Sequence, residues 1–191
     1  MSMQSGPIEK QRRRGFFASF LRDRSGSTAI EFTLLSIPFA ALVFAILETC
    51  ISFAGQQVMS NATDDIARQI RTGQLKPAAL TQDALETLIC DRLDVIVSPT
   101  TCPASLEVDL HEYTTFAAAA AKRIKLTADR DIDTTGFYPP TPGLSQSKNM
   151  LRVFYRWPVI TDFMSKRISN IKDGKTLHFA TVTWQNEPFD D

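Results

Sequence analysis

At 191 residues the chain is long enough for one membrane segment and one modest domain of about 100–150 residues. Its formal net charge is zero, and nothing in its main body is basic enough to imply a nucleic-acid partner. Three cysteines and two histidines leave too few soft ligands for a zinc centre.

The charge is unevenly placed. Met1 to Gly26 carries six basic and two acidic residues, a balance of +4, which leaves 15 basic against 19 acidic residues, or −4, for the rest. Gly6-Pro7 and Arg12-Arg13-Arg14 read as an unstructured arm beside a membrane. Phe16 to Leu21 is apolar enough to lie on the inner leaflet next to those arginines. Arg13-Arg14-Gly15-Phe16-Phe17 is a faint match to a twin-arginine export signal, weaker than the processing motif that follows it.

Gly26-Ser27-Thr28-Ala29-Ile30-Glu31-Phe32 opens the central stretch. No charged residue occurs from Phe32 to Leu47. Glu48 interrupts, and Thr49 to Ala54 continues in weakly polar character. Ala29 to Ala54 is 26 residues, where a bilayer needs about 20 helical ones. Hydrocarbon offers backbone groups no water, so a helix is expected throughout. The basic flank precedes it, which places the N-terminus in the cytoplasm and the C-terminal part across the membrane. An ordinary secretory cleavage site would follow a short apolar core, whereas candidates such as Phe39-Ala40-Ala41 fall inside this run. A lipid-bearing Cys50 is disfavoured by the charge of Glu48 just before it. Cys50 reads as a small apolar packing residue.

The helix is expected to continue. From Gln56 to Arg71, Val58, Met59, Ala62, Ile66 and Ile70 lie along one face and charged residues along the others. Gly73 offers a C-cap. The joined helix, from about Thr28 to Thr72, would span about 65 Å, with a local kink at Pro38. Pro77 and Thr81 signal the start of a second helix, with Leu85, Leu88, Ile89 and Leu93 as its apolar face. Cys90 lies on it. The loop Ser98 to Pro103 brings Cys102 back, and in an oxidising compartment Cys90 and Cys102 read as a disulfide stabilising by about 2–4 kcal/mol.

Leu106, Val108 and Leu110 alternate with Glu107 and Asp109, the pattern of a half-buried strand. Phe116 to Ala121, with Lys122, Arg123 and Lys125, reads as a short helical excursion. Residues 129–147 form a long loop rich in Thr, Pro, Gly and Asp. Met150 to Trp157 and Leu177 to Trp184 are two strong strands, with a short helix over Thr161 to Ile171 and a turn at Asp173-Gly174 between them. The fold class is therefore α+β. A long N-terminal transmembrane helix, extended by an amphipathic half, packs on a small periplasmic domain with an antiparallel sheet of about three strands. Three regions follow: a leader over 1–26, the helix over 27–73, and the periplasmic domain over 74–191.

Glu31 is the unusual residue in the helix. A carboxylate in a membrane helix is costly, roughly 2.5 kcal/mol or more at the bilayer centre, and such residues are functional by default. An interfacial side chain that merely snorkels is the plainer reading. Its position favours more. Gly26, four intervening residues, then Glu31 and Phe32, after a basic leader and before an apolar helix, resembles the processing site of type IV prepilins. The resemblance implies that a membrane aspartyl peptidase cuts between Gly26 and Ser27, with Glu31 becoming the fifth residue of the mature chain. Glycine suits such a site because it lets the peptidase approach the backbone closely. Cleavage frees an amine on Ser27, for which Glu31 of a neighbouring subunit would be an anionic partner.

With Arg24 to Phe32, Pro38 in the apolar run and the amphipathic tail, the segment from Arg22 to Gly73 is similar to the TadE-like family of tight-adherence (Flp, type IVc) pilus assembly proteins. The cysteine pair, Tyr155-Arg156-Trp157-Pro158 and the terminal Asn186-Glu187-Pro188-Phe189 are similar to what longer members show. Ser27-Thr28 departs from the small apolar residues of many members. The resemblance implies a minor pilin or pseudopilin of the bacterial inner membrane that spans it once and enters or primes the pilus. Its partners would be a prepilin peptidase and, through the N-terminal helix, other pilins.

An enzyme and a plain membrane anchor are the other classes to set beside this one. An enzyme would need more convergent groups than His111 and His178 offer, and each reads as structural. Asp129-Arg130-Asp131-Ile132-Asp133 hints at a calcium loop. Thr134 and Pro140 stand where such a loop needs Gly and Glu, so it reads as a solvated turn. Trp157 and Trp184 read as sheet-packing residues. No catalytic residue, metal or cofactor is expected. An unprocessed single-pass anchor with a partner-binding periplasmic domain is the alternative to the pilin reading.

Overall fold

In the computed structural model, which describes residues 27–189, the apolar run and the amphipathic stretch after it form one helix, α1 (Ser27–Arg71). The expectations placed on Gly26 and the rest of the leader lie outside the described residues. The chain divides into two units after Phe44. In the first, the described residues belong to α1, and large apolar side chains such as Phe32, Leu35 and Phe39 are about two-thirds exposed or more (72%, 72% and 67%).

The second unit holds the rest of α1 and every other element among the described residues. After α1 come α2 (Gln82–Leu93), the one-turn α3 (Cys102–Ser105), β1 (Leu106–Tyr113), α4 (Phe116–Ala120), β2 (Lys148–Pro158), α5 (Asp162–Ile168) and β3 (Lys175–Gln185). The three strands form one antiparallel sheet in the order β1-β2-β3, with β2 in the centre. Leu106 sits opposite Tyr155 and Asp109 opposite Arg152. Val153 sits opposite Ala180 and Asn149 opposite Trp184.

Because side chains alternate along a strand, this register sorts them onto two faces. Val108, Leu110, Leu151 and Val153 are fully buried on one face. They join Met59, Ile66 and Ile70 of α1 and Leu85, Ile89 and Leu93 of α2 in one core. The 3.6-residue spacing of those helix positions is what delivers one apolar stripe to the sheet. Thr81 caps α2 by accepting the Ala84 N–H at 3.2 Å. Cys90 and Cys102 form a disulfide with Cα atoms 5.8 Å apart, tying α2 to α3.

The end of α1 is closed by Gly73, at φ +73°. The Gly73 N–H bonds the Ile70 carbonyl at 3.1 Å and the Gln74 N–H bonds the Gln69 carbonyl at 2.9 Å. This paired pattern is one that a left-handed glycine completes. The chain's last described residues dock there. The Glu187 N–H bonds the Arg71 carbonyl at 2.9 Å, and a Cβ on Gly73 would lie 2.7 Å from the Phe189 ring.

The other face of the sheet differs from its sequence pattern. The alternation in β1 places Glu107 and Asp109 toward solvent, yet Asp109 is only 1% exposed. The excursion between β1 and β2 folds over that face, and Phe137 stacks on Phe154 with ring centroids 5.5 Å apart. Asp109 then faces Arg152, itself 3% exposed, which donates to it through Nε and Nη2. A buried carboxylate is tolerable only with such a partner. Further along the same face Arg156 bonds Glu107 at 3.0 Å and Asp131 at 2.9 Å, and Lys172 reaches Asp131 at 3.0 Å.

Candidate functional site

The processing motif begins at the first described residue. Ser27 opens α1 and Glu31 follows one turn later, on the same side of the helix, since residues four apart are neighbours. Glu31 is exposed and Phe32 is 72% exposed. Gly26 lies outside the described residues.

The helix beyond Glu31 is built for an apolar surrounding. Its most apolar 18-residue window has a mean hydropathy of 2.2, and none of it is buried within the molecule. The few polar side chains in this run bond the helix's own backbone. Thr33 Oγ1 donates to the Ala29 carbonyl at 2.8 Å, Ser36 Oγ to Thr33 at 3.0 Å, and Thr49 Oγ1 to Ala45 at 2.7 Å. Hydroxyls satisfied in this way need no water, which is what hydrocarbon requires.

Within the apolar run Glu48 makes a built contact, while Ile51 and Phe53 beyond it stay 48% and 71% exposed. Glu48 is 5% exposed. Its carboxylate accepts the Ile160 N–H at 2.5 Å, the Thr161 N–H at 3.3 Å and the Thr161 hydroxyl at 2.5 Å, just ahead of α5. Ser52 Oγ lies 3.0 Å from His178 Nε2, and Gln56 donates to the Phe179 carbonyl at 2.9 Å. From Glu48 onward α1 is therefore bonded into the second unit. The stretch ahead of Glu48, Thr28 to Leu47, holds about the 20 residues a bilayer needs. Sequence reasoning took Glu48 as an interruption and missed its role. The available signal was a lone acid closing an uncharged run.

The histidines take structural positions. His178 stacks on Trp157 with centroids 5.0 Å apart and planes at 16°, and burial pushes its pKa down to about 4. His111 Nε2 lies 3.0 Å from Asp109 Oδ1 and 2.8 Å from the Gly136 carbonyl, while Nδ1 lies 2.5 Å from Thr141 Oγ1. The Asp109 carboxylate raises its pKa, against the opposing effect of burial. In the acidic segment read as a weak calcium loop, Asp131 is held by Arg156 and Lys172. Burial would raise its pKa, but these bonds outweigh it and lower the value to about 2. Among the described residues no group of three His, Cys, Asp or Glu side chains could hold a metal ion.

Residues 26–68 match the family model described as TadE-like protein. The N-terminal segment of this chain is TadE-like. The match begins at the motif glycine and stops three residues before α1 ends, so it covers the helix and none of the sheet. No curated protein and no solved structure matches the chain. The match covers 43 of the 191 residues. Within the TadE-like segment are the apolar helix, Glu31 and Glu48; the cysteine pair and the Asp109–Arg152 pair lie beyond it.

Proposed function

We propose that the chain is a minor pilin or pseudopilin of a tight-adherence pilus, matured by a prepilin peptidase that cuts between Gly26 and Ser27. It crosses the inner membrane once through about Thr28 to Leu47, with the leader (1–26) in the cytoplasm and the sheet domain in the periplasm. The observation that carries this reading is the TadE-like match beginning at Gly26, on a helix whose apolar surface is left bare. Bare apolar side chains of this extent mark a surface meant for lipid or for other helices. The two surroundings succeed each other when a pilin leaves the membrane for a filament. The role is structural rather than enzymatic. Cleavage leaves an ammonium on Ser27 within one helical turn of Glu31. In a packed bundle, Glu31 of a neighbouring subunit neutralises it, which sets the axial offset between subunits.

Mass spectrometry of the chain extracted from its host's membranes tests the reading. The expected species begins at Ser27, and Gly26→Val converts it to the full-length form. Glu31→Ala is expected to leave membrane insertion intact while pilus assembly falls. A chain that keeps residues 1–26 where sister pilins are trimmed would instead be a plain single-pass anchor with a partner-binding domain.

A further inference from the structure

The excursion that covers the outer face of the sheet leaves a cleft of about 450 Å³ beside Arg152. Lys122, Arg123 and Lys125 line it, together with Asp133 and the buried Phe137 and Arg152. The backbone of the cationic run is fixed at both ends. Arg152 Nη1 donates to the Lys122 carbonyl at 3.3 Å, and the Asp133 N–H bonds the Lys125 carbonyl at 3.0 Å. An antiparallel bridge between Leu126 and Ile132 continues that pairing. Main-chain bonds thus hold the run in place while its three charged side chains are exposed and join no ion pair among the described residues.

The charges around the cleft do not balance. Arg152 is already neutralised by Asp109. That leaves Lys122, Arg123 and Lys125 against the single carboxylate of Asp133, a surplus of two positive charges. Like charges gathered on a fixed backbone repel one another, and the cost falls when an anion sits among them. Lys and Arg together supply several charge-assisted donors for oxygen acceptors. A carboxylate ligand would leave one charge uncompensated. A phosphate monoester carries about −1.5 to −2 near neutral pH and offers three terminal oxygens.

We propose that this cleft binds a phosphate group, borne by a soluble phosphoester or by a lipid headgroup on the far side of the membrane. The site is independent of the pilin reading, since it lies on the sheet domain, outside the TadE-like match. It gives the exposed domain a contact to envelope material that the helix does not provide.

Titration calorimetry of the full chain in non-ionic detergent, with inorganic phosphate at low salt, tests it. One phosphate is expected per chain. Lys122→Ser and Lys125→Ser should each weaken binding about tenfold, the loss of one charge-assisted contact. Asp133→Asn should strengthen it by removing a repelling charge while leaving an oxygen for the Thr135 N–H, which Asp133 accepts at 3.0 Å. That gain separates a binding site from a merely structural cluster. Glycerol phosphate and vesicles containing phosphatidic acid then identify the carrier, and binding of either supports the site. No heat at about 10 mM phosphate, unchanged affinity in all three variants, or preference for a uronic-acid oligosaccharide over phosphate overturns it.

Discussion

Single residues show how burial sets the properties of charged groups in this chain. Glu48 ends the apolar run and is used at once, as acceptor for two N–H groups and a hydroxyl ahead of α5. Gly55 is required by contact, since a Cβ there would lie 2.5 Å from the Trp157 ring. Trp157 in turn stacks on His178, whose pKa burial lowers to about 4 from an ordinary 6.5. The unfolded chain therefore takes up a proton before the folded one does. The stability that His178 contributes is fully present above about pH 6.5 and lost as pH falls toward 4, a change of about 3 kcal/mol. His111 works the other way. Asp109 raises its folded pKa, so its contribution is present below pH 6.5 and lost as pH rises through the folded value. Denaturant unfolding of the full chain in detergent, at pH 6.5, 5 and 4, is expected to show a decline that His178→Gln flattens.

Among the elements, α1 is one helix serving two solvents. Up to Leu47 its side chains are mostly bare and its hydroxyls satisfy themselves. From Glu48 the polar side chains of Glu48, Ser52 and Gln56 bond β3 and the segment ahead of α5, Ile51 and Phe53 stay exposed, and the stripe of Met59, Ile66 and Ile70 enters the core. The periodicity of Val58 to Ile70 made the second half legible, as did the alternation and aromatic content of β2 and β3. The disulfide was legible from the spacing of Cys90 and Cys102 on the reading of an exported domain. Cys90→Ser is expected to lower unfolding stability by about 2–4 kcal/mol under non-reducing conditions, seen as a lower melting temperature, because α2 and α3 would no longer be linked in the unfolded chain. The fate of Asp109 was not legible. Strand alternation tells which side chains share a face, but not whether another part of the chain will cover that face. Here residues 114–147, which carry no long periodic element, provide the cover and turn an outward acid into a buried ion pair.

At the scale of the whole molecule, the division after Phe44 separates a stretch made for an apolar surrounding from a domain with its own core, disulfide and ion pairs. A chain starting at Ala45 is expected to retain the helical and sheet circular-dichroism signal and the Cys90–Cys102 bond while losing membrane association. Sedimentation with vesicles, together with non-reducing thiol titration, checks both. The sequence alone determined the α+β class, the apolar helix with its amphipathic continuation, and the Gly26-to-Glu31 spacing. These are local matters of composition and period, and the bilayer acts on each residue in the same way wherever the rest of the chain lies. Only the tertiary structure decided that Glu48 bonds the segment ahead of α5 and which acids are buried. It also decided that Lys122, Arg123 and Lys125 gather around a cleft beside Arg152. Those outcomes depend on which distant segments meet, as Glu48 meets Thr161 across 113 positions, and no local pattern encodes that meeting.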